Sequence, residues 1–219
     1  MREIRIGAGA GYSGDRIEPA VELAEKGALD YLVFECLAER TIALAQQARR
    51  KNPDAGYDPL LAERFRAVLP ICRRNGVRIV TNMGAANPLA AASRIREVAQ
   101  ELGLSGLTIA AVTGDDVLAQ LAGSATPLEE SGVPISSLGE ALVCANAYIG
   151  ARPIAEALAV GADIVITGRA SDPSLFVGPL MHEFGRSWDD WPRLGQATLI
   201  GRRRASCRCR SVRPVRRAR

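Results

Sequence analysis

Short apolar runs alternate with helix-length segments along the whole chain, and this alternation constrains the fold more than any other feature. Tyr31–Cys36, Arg78–Thr81, Leu107–Val112 and Asp163–Thr167 are too short for helices and lack a strict in–out pattern. Such runs read as strands covered on both faces, which is the situation of strands in a mostly parallel sheet. Ile4–Gly7 supplies a first strand and Leu142–Tyr148 is read as a further one. Between them lie helical segments over Ile17–Lys26, Ala38–Arg50, Leu60–Asn75, Asn87–Leu102, Pro153–Val160 and Pro173–Phe184. Gly27, Gly76 and Gly103 stand where helices should stop, and Pro70 should kink its segment. Residues 123–139 and Ser187–Gly195 read as loop. The expected fold class is α/β, a predominantly parallel sheet with crossover helices, Rossmann-like. An incomplete β/α barrel is the alternative.

Two strand-to-helix loops locate function. Gly161-Ala-Asp-Ile-Val-Ile-Thr-Gly-Arg-Ala-Ser-Asp-Pro173 runs from a strand into a helix through Thr167, Gly168, Arg169, Ser171 and Asp172. Thr81-Asn-Met-Gly-Ala-Ala-Asn-Pro88 repeats the device with Asn82 and Gly84. Asn87 and Asp172 precede prolines and are read as caps, leaving their neighbours for ligand contacts. Open parallel sheets bind ligands at the carboxyl ends of their strands, so these loops should line a substrate site. Arg169 is the candidate clamp for a carboxylate or phosphate, because a guanidinium offers paired donors; a surface ion pair is the competing reading.

The first loop, Gly7-Ala-Gly-Ala-Gly-Tyr-Ser-Gly14, contains Gly9-x-Gly11-x-x-Gly14, with Glu35 closing the next strand. That spacing fits a dinucleotide fingerprint, in which Glu35 would accept from ribose hydroxyls. Another small-ligand loop, using Gly9, Gly11 and Ser13, and a plain glycine-rich turn also fit. Asp15 argues against a tightly held phosphate beside it. Glu35, Glu39 and Asp115 lie near strand ends. Of these, Glu35 follows an apolar run that could desolvate it into a general base. His182, the one histidine, has no second histidine at zinc-site spacing, so no metal is assigned. No nucleophile elbow, phosphate loop or Cys-x-x-Cys pair is present.

Net charge is concentrated at one end. The formal charge is +4, yet residues 202–219 hold nine Arg and no acid. Without them the chain has 19 basic and 24 acidic residues. The tail, built from Arg, Ala, Ser, Cys and Val with one Pro, is read as disordered and as an out-of-frame extension of a truncated 1–201 domain. A nucleic-acid role is not expected for it, a selected basic tail being the competing view. No apolar run reaches the roughly 18 residues of a membrane span. Cys36, Cys72 and Cys144 lie in apolar surroundings and are expected to be reduced, as in a cytoplasmic protein.

Four ordered segments together resemble one family. They are Asp30-Tyr-Leu-Val-Phe-Glu-Cys-Leu-Ala-Glu-Arg-Thr41, Val80-Thr-Asn-Met-Gly-Ala-Ala-Asn-Pro88, Ala145-Asn-Ala-Tyr-Ile-Gly150, and Gly161 to Arg169 continuing to His182-Glu-Phe-Gly185. They are similar to the N-terminal domain of the acyclic terpene utilisation family, from about Ile4 to Gly201. The resemblance implies a cytoplasmic protein of citronellol- and geraniol-type catabolism. It would act on or bind a small acyl or terpenoid substrate, alone, as a homo-oligomer or as a pathway subunit. A nicotinamide- or flavin-linked oxidoreductase and a non-catalytic metabolite-binding partner are the alternatives. No cofactor is assigned. Candidate catalytic residues are Glu35 and Arg169. Candidate substrate contacts are Gly9, Gly11, Ser13, Asn82, Gly84, Thr167, Gly168 and Ser171.

Overall fold

A computed structural model describes residues 3–205 and 214–216. Five parallel strands form an open sheet: β1 (Glu3–Ala10), β2 (Tyr31–Phe34), β3 (Arg78–Thr81), β4 (Ile109–Val112) and β5 (Ile164–Thr167). A short strand, β6 (Pro214–Arg216), runs antiparallel to β1, giving the order β4-β5-β3-β2-β1-β6. The sheet is not closed. The helices are α1 (Glu18–Lys26), α2 (Glu39–Lys51), α3 (Leu61–Asn75), α4 (Pro88–Glu101), the single turn α5 (Leu118–Leu121), α6 (Arg152–Ala159), α7 (Ser174–Phe184) and α8 (Trp191–Ala205). The expected α/β class with a parallel sheet and crossover helices is what the chain forms.

Alternate strand residues divide between two apolar layers, as the pleat requires. Leu32, Phe34, Ile79, Ile164 and Ile166 pack beneath α1, α3 and α4. Tyr31, Val33, Val80 and Val165 pack on the other face against α6, α7 and α8. The two-sided covering explains why these strands show no alternation in the sequence. α2 belongs to neither layer. It lies over the carboxyl ends of the strands, where Ile42 and Ala45 meet Leu37, Ala85 and Ala86.

Most local signals act as expected, but Asp172 does not cap α7: the cap position is Pro173, with no side-chain cap bond, and Asp172 Oδ1 has no hydrogen-bond partner among the described residues. Asn87 Oδ1 accepts from the Ala90 amide at 3.3 Å, with Pro88 in the first turn of α4. Gly76 takes φ 67° after α3 and Gly185 takes φ 56° after α7, the left-handed stop that glycine adopts without strain. α3 continues through Pro70 without a break. The segment Leu142–Tyr148 is not a strand. Asn146 spends its side chain on Asp115 Oδ2 (3.0 Å), and an isolated bridge to Asp116 replaces ladder pairing. Its Ala and Asn residues have little preference for a pleated surface. Trp191, read as loop, opens α8. α8 runs past Gly201 to Ala205, and most of the Arg-rich segment, with the expectation of its disorder, lies outside the described residues.

β3 is the centre of the sheet, and Ile79 is fully buried at its start between β2 and β5. Ile79→Ala is expected to cost about 2–5 kcal/mol, as deletion of a buried isoleucine does when the gap cannot collapse. Chemical denaturation of the variant against the parent checks this.

Candidate functional site

β3 feeds α4 on one face, whereas its neighbour β5 feeds α7 on the other. Adjacent strands whose chains depart to opposite faces create the crevice where open α/β sheets bind ligands. Here the crevice is shut by protein. A Cβ on Gly84 would lie 2.5 Å from the Thr167 carbonyl oxygen, and one on Gly168 would lie 2.5 Å from both Asp115 carboxylate oxygens. Gly84 therefore serves close approach of the β3 and β5 loops, and Gly168 makes room for the Asp115 carboxylate of the loop after β4. Thr167 turns its hydroxyl to the Gly168 carbonyl (2.9 Å) and is fully buried.

Arg169 pins the junction. Only 5% exposed, it donates through Nη1 to the Leu37 carbonyl (2.6 Å) and through Nη2 to Glu39 Oε1 (2.8 Å) and the Tyr148 hydroxyl. Its backbone N–H donates to Asp115 Oδ2 at 2.8 Å. The guanidinium also stacks 4.2 Å from the Tyr148 ring centroid. The fork that looked like an anion clamp is occupied by the chain's own oxygens. Tyr148 in turn donates to Glu39 at 2.5 Å, which raises the tyrosine's pKa and, with Arg169, lowers that of Glu39. Ser171 Oγ meets Ser174 Oγ at 2.5 Å and faces the start of α7.

The open space is one step toward β2, under α2. A cavity of about 270 Å³ is walled by Leu37, Thr41, Leu44, Ala45 and Ala48 above. Its floor and sides come from Ser13, Cys36, Tyr57, Asp58, Pro59, Asn82, Met83 and Ala85. Most of this wall is apolar. Asn82, fully buried, links the cavity to Glu35: Oδ1 accepts from the Cys36 amide (2.7 Å) and Nδ2 donates to Glu35 Oε1 (3.0 Å). The Leu37 amide donates to the same Oε1 at 3.1 Å. Burial raises the Glu35 pKa against these hydrogen bonds, and burial also raises those of Asp115 and Asp172.

Of the residues singled out by sequence, Ser13 and Asn82 line the cavity, and Glu35 touches it through Asn82. Gly84, Thr167, Gly168 and Arg169 form the closed junction beside it. Gly9 lies within β1, where a Cβ would meet the Phe34 ring at 2.5 Å, so it serves strand packing. The Gly11 amide donates to Asp15 Oδ2 (3.1 Å), and Asp15 Oδ1 takes the Arg16 amide (2.9 Å). α1 begins only at Glu18. The N–H groups a pyrophosphate would use are thus engaged by a carboxylate. Sequence reasoning missed Tyr57 and Asp58 as wall residues. The 51–59 segment carries only turn signals, which say nothing about where the turn packs. Among the described residues, no cluster of three or more His, Cys, Asp or Glu could hold a metal ion, and no helix is long and apolar enough to cross a membrane.

The architecture is an α/β domain with helices on both faces of a parallel sheet and a cavity at the carboxyl edge of that sheet. The model of the acyclic terpene utilisation family protein AtuA matches residues 4–203, and the chain belongs to that family. Comparison with curated proteins and with solved structures returned no match.

Two tests follow from this geometry. Gly84→Ala should cost about 1–3 kcal/mol by overpacking, because the opposing Thr167 atom is backbone and cannot rotate away. Urea titration measures it. The second concerns pH. A carboxyl whose folded pKa exceeds its unfolded value binds its proton more tightly when folded, so stability falls as pH rises through that window. Glu35, Asp115 and Asp172 all shift this way, Glu35 upward from 4.5. Glu35→Gln keeps an oxygen for Asn82 and Leu37 and removes one such group. Its stability should decline less than the parent's as pH rises above 4.5, followed by urea melts.

Proposed function

We propose that this acyclic terpene utilisation protein binds a small, branched acyl or terpenoid compound in the cavity beneath α2, as a cytoplasmic catabolic protein. The observation that carries the reading is the cavity itself, apolar over most of its wall and small, at the edge where such sheets bind ligands. An acyclic chain would lie along Leu44, Ala45, Ala48 and Met83, with its head group toward Ser13, Asn82 and Asp58. Glu35 is the acid–base group of this site. It stands behind the wall residue Asn82, whose amide donates to it, and burial raises its proton affinity. Arg169 supports it by fixing the Leu37 carbonyl, one residue from the cavity's Cys36. The dinucleotide reading of the first loop gains no support from a loop whose amides serve Asp15.

Calorimetric titration with citronellol, geraniol and their acids tests the reading. Ala48 is half-buried on α2 and lines the cavity, so Ala48→Phe should fill it with a stability change within about 0.5 kcal/mol. The expected outcome is binding by the parent and none by the variant. Equal binding by both would place the ligand elsewhere.

A further inference from the structure

Arg64, on α3, is fully buried, yet its Nε and Nη1 have no hydrogen-bond partner. Only Nη2 is used, donating to the Asp15 carbonyl at 3.0 Å, while the guanidinium carbon stands 5.3 Å from the Phe34 ring centroid. Orphaned donors on a buried cation are costly, because the desolvation of each N–H goes uncompensated. Both neighbours of the guanidinium lead to the cavity. The 13–15 turn contributes Ser13 to its wall, and the chain leaving Phe34 contributes Cys36. Arg64 also acts electrostatically on the Cys36 thiol, as do Asp58, Glu35 and Asp15.

Those acids decide what is missing. Asp15 holds the Gly11 and Arg16 amides, Asp58 Oδ1 holds the Leu60 amide, and Glu35 holds Asn82. Each acid has local donors, and all three act with Arg64 on the Cys36 thiol in the cavity wall. The guanidinium lacks acceptor oxygens rather than a counter-charge, and a further anion beside Asp58 would be repelled. We infer that the inner end of the cavity recognises a neutral acyl carbonyl, as in an ester or thioester, whose oxygen enters between Ser13 and Cys36 and accepts from Arg64. This rests on the cavity being the ligand site and adds the head-group class that Arg64 selects.

The test uses one acyclic monoterpenoid skeleton carried as its methyl ester, its free carboxylate and its hydrocarbon. Each is titrated calorimetrically into the full chain and into Arg64→Met. With the parent the ester should bind roughly 10- to 100-fold tighter than the hydrocarbon, the factor for a hydrogen bond from a charged donor. It should also bind more tightly than the carboxylate, and Arg64→Met should erase the ester's advantage. Infrared spectra of the ester bound to the parent need no variant and should show the carbonyl band shifted to lower frequency. Ester and hydrocarbon binding alike, or a carbonyl band unmoved on binding, overturns the Arg64 inference and leaves the cavity reading standing. Tighter binding of the carboxylate overturns the neutral head group. Absence of binding by all three overturns both.

Discussion

The carboxyl edge of this sheet is organised by one buried amide. Asn82 leaves β3 with both ends of its side chain committed, one to the Cys36 backbone and one to the Glu35 carboxylate. An apolar residue there would strand a buried N–H and a buried carboxylate together, a penalty larger than the net gain of either bond. The two strands whose ends it joins then place Cys36, Leu37, Met83 and Ala85 around one space. The cavity under α2 is a consequence of that bridge as much as of the helix above it.

Beside it, Arg169 does a related job with charge. It ties the exit of β5 to the exit of β2 and to Tyr148, which brings in the long excursion after β4. A guanidinium buried in this way needs every acceptor it has, since its desolvation is offset only by well-placed oxygens. Arg64 is the contrast: equally buried and held by a single carbonyl, that of Asp15, two residues from the cavity's Ser13. The two arginines divide into one that finishes the protein's own architecture and one with donors still to be used.

The sheet was legible because burial on both faces leaves short unbroken apolar runs, and the helix boundaries because Gly76, Asn87 and Gly103 sit where caps must. Tyr31–Phe34 and Ile164–Thr167 fall within the expected runs. Leu142–Tyr148 misled because a mostly apolar run resembles a strand in composition while its Asn146 is held by Asp115. The site was legible only as an edge. Among the loop glycines expected as ligand contacts, Gly84 lies against the Thr167 backbone and Gly168 against the Asp115 carboxylate. Tyr57 and Asp58 carry no signal in the sequence, because their importance comes from which loop folds beneath α2. That depends on tertiary packing.

α2 roofs the cavity through a small apolar patch, Ile42 and Ala45 against Leu37, Ala85 and Ala86, while α3, α4 and α7 are sunk in the two main layers. Units with little buried apolar surface open at lower free energy than the domain as a whole. The roof is therefore the part of the cavity wall that opens most readily, and under the binding proposed above α2 lifting from Ala85 and Ala86 would set ligand residence time. Substitutions that tighten that patch would slow entry and escape together while leaving the affinity of the floor nearly unchanged.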